Sequence, residues 1–460
     1  MRVAQQPRLL TAALLSALGA LWCGCAPSDG GVATTTASSP SEAAALARPS
    51  AAPDNAVEHA PPAPAAEALG GDASAETDPA PLKSADDDAL NPADALAFVP
   101  DVAEISRPAI VADENNWPLF RGDSFSSGVA QSTLPDQPEL LWKFPVEDGA
   151  FETAPAIADG VVYAADADAV LYALDLATGE KRWQFAGSLG FTASPSVHGG
   201  RVYIGDLDGK FYCVDARTGD KIWEVASEAE IDSGANFYKD RVLFGSQDAT
   251  LYCLSAATGE LVWKFTIEDQ IRCTPTIVEN RCFLAGCDGK LHIVDLDKGE
   301  AVDAVEIESP TGTTPAVRGN RVYFGTHAGA FFCIDWKAAK VVWTYQAEPS
   351  PAEYRSSAAV NDAYVVVGDR GRRLFALNPQ DGSKIWEFLS KRNIDGSPVI
   401  VGDRAFIGTG DGRVAAFSLK SGDEVWSYEA GGGFIGSPAV AAGRLVIASD
   451  DGFVYCFGKK

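Results

Sequence analysis

The sequence predicts an all-β protein, an eight-bladed β-propeller, and three observations support this. A unit of about 40 residues recurs eight times after residue 140, and a fixed period of this length indicates a propeller, a solenoid or an array. Within each unit, runs such as Arg321-Val322-Tyr323-Phe324-Gly325 alternate with period two and are rich in β-branched and aromatic residues, as strands are. No segment after residue 140 shows helical spacing of apolar residues.

Each unit contains four strands joined by tight turns. Asp208-Gly209 separates the second and third strands of one unit, and Thr218-Gly219 separates its third and fourth strands. Glycine supplies the positive φ that such turns need. Eight four-stranded antiparallel sheets arranged radially make a β-propeller.

The number of blades follows from the position that opens each first strand, usually the proline of a Ser-Pro pair. This position is occupied by Pro155, Pro195, Ala235, Pro275, Pro315, Ala358, Pro398 and Pro438. The last unit lacks a fourth strand, whereas Glu139–Phe144 precedes the first unit without three strands of its own. We therefore predict that this segment completes blade eight and closes the ring, which removes open sheet edges.

A tryptophan near the end of most units is predicted to pack between neighbouring blades. These residues are Trp142, Trp183, Trp223, Trp263, Trp343, Trp386 and Trp426. Asp303 stands where the fourth unit should carry its tryptophan. We expect blade four to be among the weaker ones.

The 37 basic and 63 acidic residues, with a net charge of −26, argue against nucleic acid as a partner, because phosphate binding needs a basic surface.

Four cysteines occupy a third-strand position that favours small buried residues: Cys213, Cys253, Cys333 and Cys456. Cys282 also falls on a strand, while Cys273 and Cys287 are expected nearest to a loop surface. A Cys282–Cys287 or Cys273–Cys287 disulfide is left open. No paired Cys-x-x-Cys spacing exists and the four histidines are scattered, so no metal site is expected.

The first quarter of the chain reads as a targeting segment and a linker. Residues 1–25 resemble a signal peptide, with two arginines before the apolar run Leu9–Trp22 and a lipidation site at Cys25. Simple secretion and an uncleaved anchor remain alternatives. Residues 26–113, dominated by Ala, Pro, Ser and acidic residues, are predicted to be disordered, and residues 114–460 to form the propeller.

Two groups of residues are candidates for binding, and both are predicted on the face that carries the links between blades. At the channel mouth the candidates are Glu152, Asp232, Arg272 and Asp395, which differ from repeat to repeat. A basic sector comprises Arg355, Arg370, Arg372, Arg373, Lys391 and Arg392. On an acidic protein such a sector would attract an acidic partner. The alternatives are mouth residues that pair with one another and a solvated loop; no catalytic constellation emerges.

Four motifs carry a family resemblance: Ser-Pro-x-Val, Gly-x-x-Asp-Gly, Leu171-Tyr172-Ala173-Leu174-Asp175, and Ala177-Thr178-Gly179-Glu180 followed by Trp183. Together they resemble the quinoprotein (PQQ)-like repeat over residues 117–460. The stretch Asn116–Asp123 also resembles the opening of many such propellers. The family includes pyrroloquinoline-quinone dehydrogenases and the BamB lipoproteins of outer-membrane protein assembly.

The resemblance implies one of two functions. The dehydrogenases carry adjacent bonded cysteines, a calcium site and an Asp base on a longer chain, whereas no two cysteines are adjacent here. We therefore expect a BamB-like scaffold without catalysis, monomeric and lipid-anchored, that faces the periplasm and binds envelope proteins such as an outer-membrane assembly complex. No cofactor is expected. The alternative is an enzyme or ligand-binding propeller that holds PQQ with calcium in its central channel.

Overall fold

The computed structural model describes residues 110–147 and 149–460, and this part of the chain contains 33 strands and no helix. The predicted signal peptide, Cys25 and nearly all of the predicted linker lie outside the described residues. Strands β1 (Val129–Ala130) and β2 (Glu139–Pro145) precede the repeats. The all-β prediction is confirmed.

Strands β3 to β33 follow in chain order, four to a blade, with three in blade eight. Their bounds are, in blade one, Ala156–Ala158, Val161–Ala165, Val170–Asp175 and Lys181–Ala186; in blade two, Ser196–His198, Arg201–Gly205, Lys210–Asp215 and Lys221–Ala226; in blade three, Asn236–Tyr238, Arg241–Gly245, Thr250–Ser255 and Leu261–Thr266; in blade four, Thr276–Val278, Arg281–Ala285, Lys290–Asp295 and Glu300–Glu306; in blade five, Ala316–Arg318, Arg321–Gly325, Ala330–Asp335 and Lys340–Gln346; in blade six, Ala359–Val360, Val365–Gly368, Arg373–Leu377 and Lys384–Leu389; in blade seven, Val399–Val401, Arg404–Gly408, Arg413–Ser418 and Glu424–Glu429; in blade eight, Ala439–Ala441, Arg444–Ala448 and Phe453–Gly458.

Blade eight is completed by β2, as the sequence predicted. This strand pairs antiparallel with β33, the last strand of the chain, with Trp142 opposite Cys456 and Phe144 opposite Val454. The two ends of the repeat region therefore share one sheet, and β33 has a partner on each side. Closure satisfies main-chain groups that an open ring would expose.

The turns divide the propeller into two faces. Links between blades lie on the same face as the turns between second and third strands, because the two are hydrogen-bonded to each other in every blade. The Ala167 N–H donates to Ala150 O (2.8 Å) in blade one, for example, and Arg370 N–H donates to Glu353 O (2.9 Å) in blade six. We call this the upper face. The lower face carries the turns between first and second strands and between third and fourth strands.

Residues 114–130, which we call the strap, run along the innermost strands near their lower ends. Its main-chain oxygens accept hydrogen bonds from the innermost strands of six blades and from the first turn of blade eight. The donors are the N–H groups of Ile157, Val197, Ile277, Val317, Val360, Ile400 and Ala442. In blade three, the Asn236 side-chain amide donates to Ser124 O (3.0 Å). The strap thus contacts all eight blades.

Four apolar side chains of the strap enter alternate interfaces between blades. Trp117 packs between blades eight and one, Leu119 between two and three, Phe125 between four and five, and Val129 between six and seven. Trp117 and Leu119 are both only 1% exposed. The strap therefore extends the hydrophobic core under the ring.

The repeated tryptophans pack between blades, as predicted. The Trp183 indole Nε1–H donates to Ala216 O in the next blade (3.0 Å), and a Cβ on Gly219 would lie 2.8 Å from its ring. The glycine, with φ of 80°, leaves room for the indole. The same bond joins six pairs: Trp142 to Leu176, Trp183 to Ala216, Trp223 to Ala256, Trp263 to Leu296, Trp343 to Pro379, and Trp386 to Leu419.

Blade four lacks this contact. Asp303 pairs with Ile293 at the register where Trp263 pairs with Cys253 one blade earlier. Part of the missing contact is supplied from blade five, where Trp336 packs edge-on against Phe283 with ring centroids 5.5 Å apart. The lower stability of blade four stays a prediction.

All seven cysteines in the described part of the chain are buried thiols. Burial confirms the expectation for the four third-strand cysteines. The expectation that Cys273 and Cys287 approach a loop surface is wrong, because their exposed fractions are 0% and 4%. Cys273 belongs to the core between blades three and four, together with Cys253 and Cys282. Burial raises the pKa of the Cys273 thiol to about 12, so this thiol is unreactive at neutral pH.

Candidate functional site

The hydroxyl groups of the Ser-Pro motif are structural. In six places, the main-chain N–H before the first strand donates to the hydroxyl at the same position of the next blade, for example Ser357 N–H to Ser397 Oγ (2.9 Å). The six donor and acceptor pairs are Ala154 and Ser194, Gly234 and Thr274, Thr274 and Thr314, Thr314 and Ser357, Ser357 and Ser397, and Ser397 and Ser437. These bonds tie the innermost strands together around the channel.

Above this ring of hydroxyl groups, two candidate mouth residues form one network on the upper face. Asp232 accepts hydrogen bonds from Thr192 Oγ1 (3.1 Å) and Gln247 Nε2 (2.8 Å). Arg272 Nη1 lies 3.5 Å from Asp232 Oδ2, and Arg272 Nη2 donates to Gln247 Oε1 (2.9 Å). The side chains of Asp232 and Arg272 are 6% and 18% exposed, so their ion pair is partly desolvated. Together with Thr192, these residues join the links that lead into blades two, three and four.

A second network spans blades six and seven. Glu353 receives Arg355 Nε at 2.8 Å and lies 3.5 Å from Arg370 Nη1. Arg370 Nε in turn lies 3.2 Å from Asp395 Oδ1, and Asn393 Nδ2 donates to Asp395 Oδ2 (2.5 Å). Two of the basic residues and one candidate mouth carboxylate therefore neutralise one another.

Folding raises the pKa of two mouth carboxyl groups and lowers the pKa of Glu353 beside them. Burial raises the pKa of Glu152, which also senses the charges of Asp232 and Asp450. Burial also raises the pKa of Asp395, against the opposing charges of Arg370 and Arg355. For Glu353 burial acts in the same direction, but the Arg355 hydrogen bond and the surrounding positive charges outweigh it and the pKa is lowered.

Replacement of Glu152 by glutamine is expected to stabilise the protein at pH 7.5. A carboxyl group whose pKa is raised by folding opposes folding when ionised, and the neutral amide removes this opposition. The gain should shrink as pH falls through the folded pKa of Glu152 and vanish below its ordinary value of 4.5. Thermal unfolding midpoints of both proteins between pH 7.5 and pH 4 measure this.

Glu353→Gln provides the control with the opposite sign. Because folding lowers the pKa of Glu353, its ionised form contributes stability above its ordinary value of 4.5, and this contribution is lost as pH falls through the folded pKa. The Glu353 variant should therefore unfold at lower temperature at pH 7.5, with a smaller difference in acid. Equal midpoints for Glu152→Gln and the parent protein at every pH would contradict the assignment.

The six residues of the basic sector fall into two groups. Arg355 and Arg370 belong to the network with Glu353. Arg373 is 8% exposed, lies 2.7 Å from Asp369 Oδ2, and donates to Ser350 O in the link between blades five and six (2.9 Å). The other three residues, Arg372, Lys391 and Arg392, are exposed.

The exposed residues lie together because two loops of the upper face meet. Ser390 N–H donates to Arg372 O (2.7 Å), which joins the turn that carries Arg372 to the link that carries Lys391 and Arg392. The sequence did not single out the carboxylates Glu353 and Asp369, which pair with three of the six basic residues. Both stand within four residues of an arginine, and this spacing was the available signal.

The described residues offer no group of three or more His, Cys, Asp or Glu side chains that could hold a metal ion. His292, on the third strand of blade four, pairs with Asp288 of the preceding turn, with its Nε2 2.7 Å from Asp288 Oδ2. In the part of the chain that is described, no helix is long and apolar enough to cross a membrane.

The protein is a quinoprotein-type β-propeller. It has eight four-stranded antiparallel blades, an N-terminal strand that closes the ring, and a packed tryptophan in most interfaces between blades. The family profile described as outer membrane protein assembly factor BamB matches residues 135–229, 207–304 and 290–460. Because these matches cover more than half of the chain, the chain belongs to the BamB family. No curated protein matches the chain by sequence.

Solved structures share the fold. BamB from Moraxella catarrhalis is 21% identical, with a TM-score of 0.61, over 70% of this chain and 98% of that one. The quinohemoprotein alcohol dehydrogenase from Comamonas testosteroni is 16% identical, with a TM-score of 0.65, over 76% of this chain and 82% of that one. The computationally designed protein Ika8 is 17% identical, with a TM-score of 0.63, over 70% of this chain and all of that one. At these identities the structural likeness concerns the fold.

Proposed function

We propose that this protein is a non-catalytic scaffold of the cell envelope that binds other proteins, in the manner of BamB, during outer-membrane protein assembly. The observation that carries the proposal is the family match along residues 135–460. The hydroxyl groups around the channel and the carboxylates Asp232 and Asp395 support it, because they are engaged in bonds between blades. A scaffold needs such a rigid ring with a variable face.

We further propose that the protein acts without a cofactor. A planar quinone held with calcium needs several oxygen ligands around the ion. The described residues contain no group of three or more His, Cys, Asp or Glu side chains that could hold a metal ion. The competing hypothesis is a PQQ-dependent enzyme. Titration of the full chain with pyrroloquinoline quinone and calcium separates the two hypotheses. Saturable binding accompanied by dye-linked alcohol oxidation would show that the protein is an enzyme and would contradict the scaffold proposal.

The surface proposed to meet the partner is the exposed part of the basic sector, formed by Arg372, Lys391 and Arg392. These residues carry positive charge at the edge of the upper face, on a chain whose net charge is −26. An acidic segment of a partner would be steered to them. The paired arginines Arg355, Arg370 and Arg373 hold the loops that present this surface.

Reversal of the three exposed charges, in a variant Arg372→Glu, Lys391→Glu and Arg392→Glu, is expected to lower partner binding by about tenfold or more. Each exposed pair contributes up to about 1 kcal/mol, and reversal adds repulsion. The measurement is quantitative capture of outer-membrane assembly proteins by the tagged full chain from a cross-linked cell envelope.

The matched control reverses three exposed lysines away from this surface: Lys264→Glu, Lys298→Glu and Lys420→Glu. It changes the net charge equally, so a general charge effect would lower capture in both variants. Unchanged capture by the first variant would rule out the basic sector as the contact surface and leave the scaffold role to other parts of the molecule.

The anchor is proposed to be a lipid on Cys25. Replacement of Cys25 by serine is expected to abolish incorporation of radiolabelled palmitate and to move the protein from the membrane fraction to the soluble fraction. A single thiol is the attachment point, so the effect should be nearly complete. Persistence in the membrane fraction without label would favour an uncleaved anchor, and a parent protein found in the soluble fraction would favour simple secretion.

A further inference from the structure

A cavity of about 290 Å³ opens on the outer part of the lower face between blades four and five. Its lining includes Ile293, Val302 and Asp303 of blade four, and Trp336 and Lys337 from the turn between the last two strands of blade five. This is the interface in which blade four lacks its tryptophan. The cavity therefore lies at a position that the repeat fills elsewhere with an indole.

The other interfaces show what such a position accepts. Trp263 donates its Nε1–H to Leu296 O (3.2 Å), and Trp343 donates to Pro379 O (3.1 Å). In each case the acceptor lies at the start of the turn between the third and fourth strands of the next blade. The equivalent carbonyl in blade five belongs to Trp336, and the Asp303 side chain has no N–H to offer it.

Trp336 forms a wall of the cavity and does not act as its occupant. Its Nε1–H donates to Gly319 O (3.1 Å), and its ring packs against Phe283 of blade four. Ala339 replaces the turn glycine of the other interfaces and adopts a φ of 50°. The position that holds an indole in other interfaces is thus remodelled into a cavity. Trp336 and Ile293 contribute apolar surface to it, and the polar lining includes Glu279, Asn280 and Arg281.

The strand beside the cavity is exposed except at Val305, which is buried. Glu300–Glu306 is the outermost strand of blade four, and in the sheet it pairs only with the third strand, so its outer edge has no strand beside it among the described residues. Residues 300–304 are all exposed, and Val302 is 51% exposed. An edge of this kind can accept an added strand from another chain.

We propose that this cavity binds an aromatic side chain, an indole by preference, carried by an extended segment of a partner protein that pairs with the free edge of Glu300–Glu306. Main-chain bonds along the edge provide affinity and the cavity provides the choice of side chain. The internal repeat identifies the occupant, since six interfaces place an indole against the equivalent carbonyl. This contact lies on the lower face and is separate from the basic sector of the upper face.

The test uses the full chain with tryptophan labelled by ¹⁵N and a probe that copies its own outer strand, the acetylated and amidated hexapeptide Lys-Val-Val-Trp-Thr-Tyr of residues 340–345. We expect a saturable shift of the Trp336 indole signal and no shift of the Trp343 signal. Asp303→Trp places an indole of the chain itself in the cavity and should weaken binding of the hexapeptide at least tenfold. Val425→Trp, the same kind of addition on the outer strand of blade seven, should leave it unchanged.

Two further probes decide what is recognised. A hexapeptide with alanine in place of tryptophan should bind at least tenfold more weakly; equal binding would overturn the proposal, because the cavity would then select nothing. N-acetyl-tryptophan amide should also bind at least tenfold more weakly than the hexapeptide; equal affinity would point to a small aromatic molecule and overturn docking of a protein segment. Thermal unfolding of Asp303→Trp verifies that a lost shift does not reflect a lost fold.

Discussion

Replacement of Trp117 by alanine should destabilise the protein by about 3–5 kcal/mol, the loss typical of a fully buried large aromatic residue. The side chain is 1% exposed and packs between blades eight and one, beside the blade that closes the ring. The main chain of Trp117 also exchanges two hydrogen bonds with Ile157, of 2.8 and 2.9 Å. Urea unfolding of the full chain, followed by far-ultraviolet circular dichroism, measures the loss.

Val111→Ala is the matched control, because Val111 lies just before the strap and is 49% exposed. Its replacement should change the free energy of unfolding by no more than about 0.5 kcal/mol. A loss below about 1 kcal/mol for Trp117→Ala would show that the strap contributes little to the ring. Because the strap contacts every blade, we also expect the parent protein to unfold in one transition.

Replacement of Trp386 by alanine should cost about 3–5 kcal/mol as well. Trp386 is 7% exposed, donates its Nε1–H to Leu419 O (2.7 Å), and stacks on the turn glycine Gly422 of the next blade. Truncation would leave a cavity between blades six and seven and a main-chain oxygen without its donor. The measurement is again the free energy of unfolding in urea.

The repeat supplies its own control for this experiment. Asp303 occupies the same position in blade four, where its side chain is exposed, so Asp303→Ala should change the free energy of unfolding by about 0.5 kcal/mol or less. Equal effects of the two replacements would mean that the position, and not the indole, determines stability. A loss near zero for Trp386→Ala would contradict the packing role of the repeated tryptophan.

The propeller could be predicted in detail because its determinants are local and repeated eight times. The signals act within or next to a single strand. They are the period-two alternation, turn glycines such as Gly219, and the segment Glu139–Phe144, which has no repeat unit of its own. Repetition averages out the ambiguity of any one copy, and so the blade count and the closing strand were both confirmed. The expectation for Cys273 and Cys287 failed because burial depends on the neighbouring blade.

The candidate site was less predictable, since it is made where loops from different blades meet. The sequence shows Arg355 and Arg370 as two positive charges, but only folding places Glu353 and Asp395 against them. Likewise, the sequence marks Asn116–Asp123 as a family motif but does not predict its structural role. Its role as part of the strap depends on contacts with blades that are up to hundreds of residues away in the chain.

By itself, the sequence determined the strand pattern, the number of blades, the ring closure and the packing role of the tryptophans, because these depend on spacing between near neighbours. Only the tertiary structure decided which charges remain exposed, where the strap runs, and that the missing tryptophan of blade four leaves a cavity beside Trp336. These features depend on contacts between blades, and such contacts are set by distances in space that the order of residues does not contain.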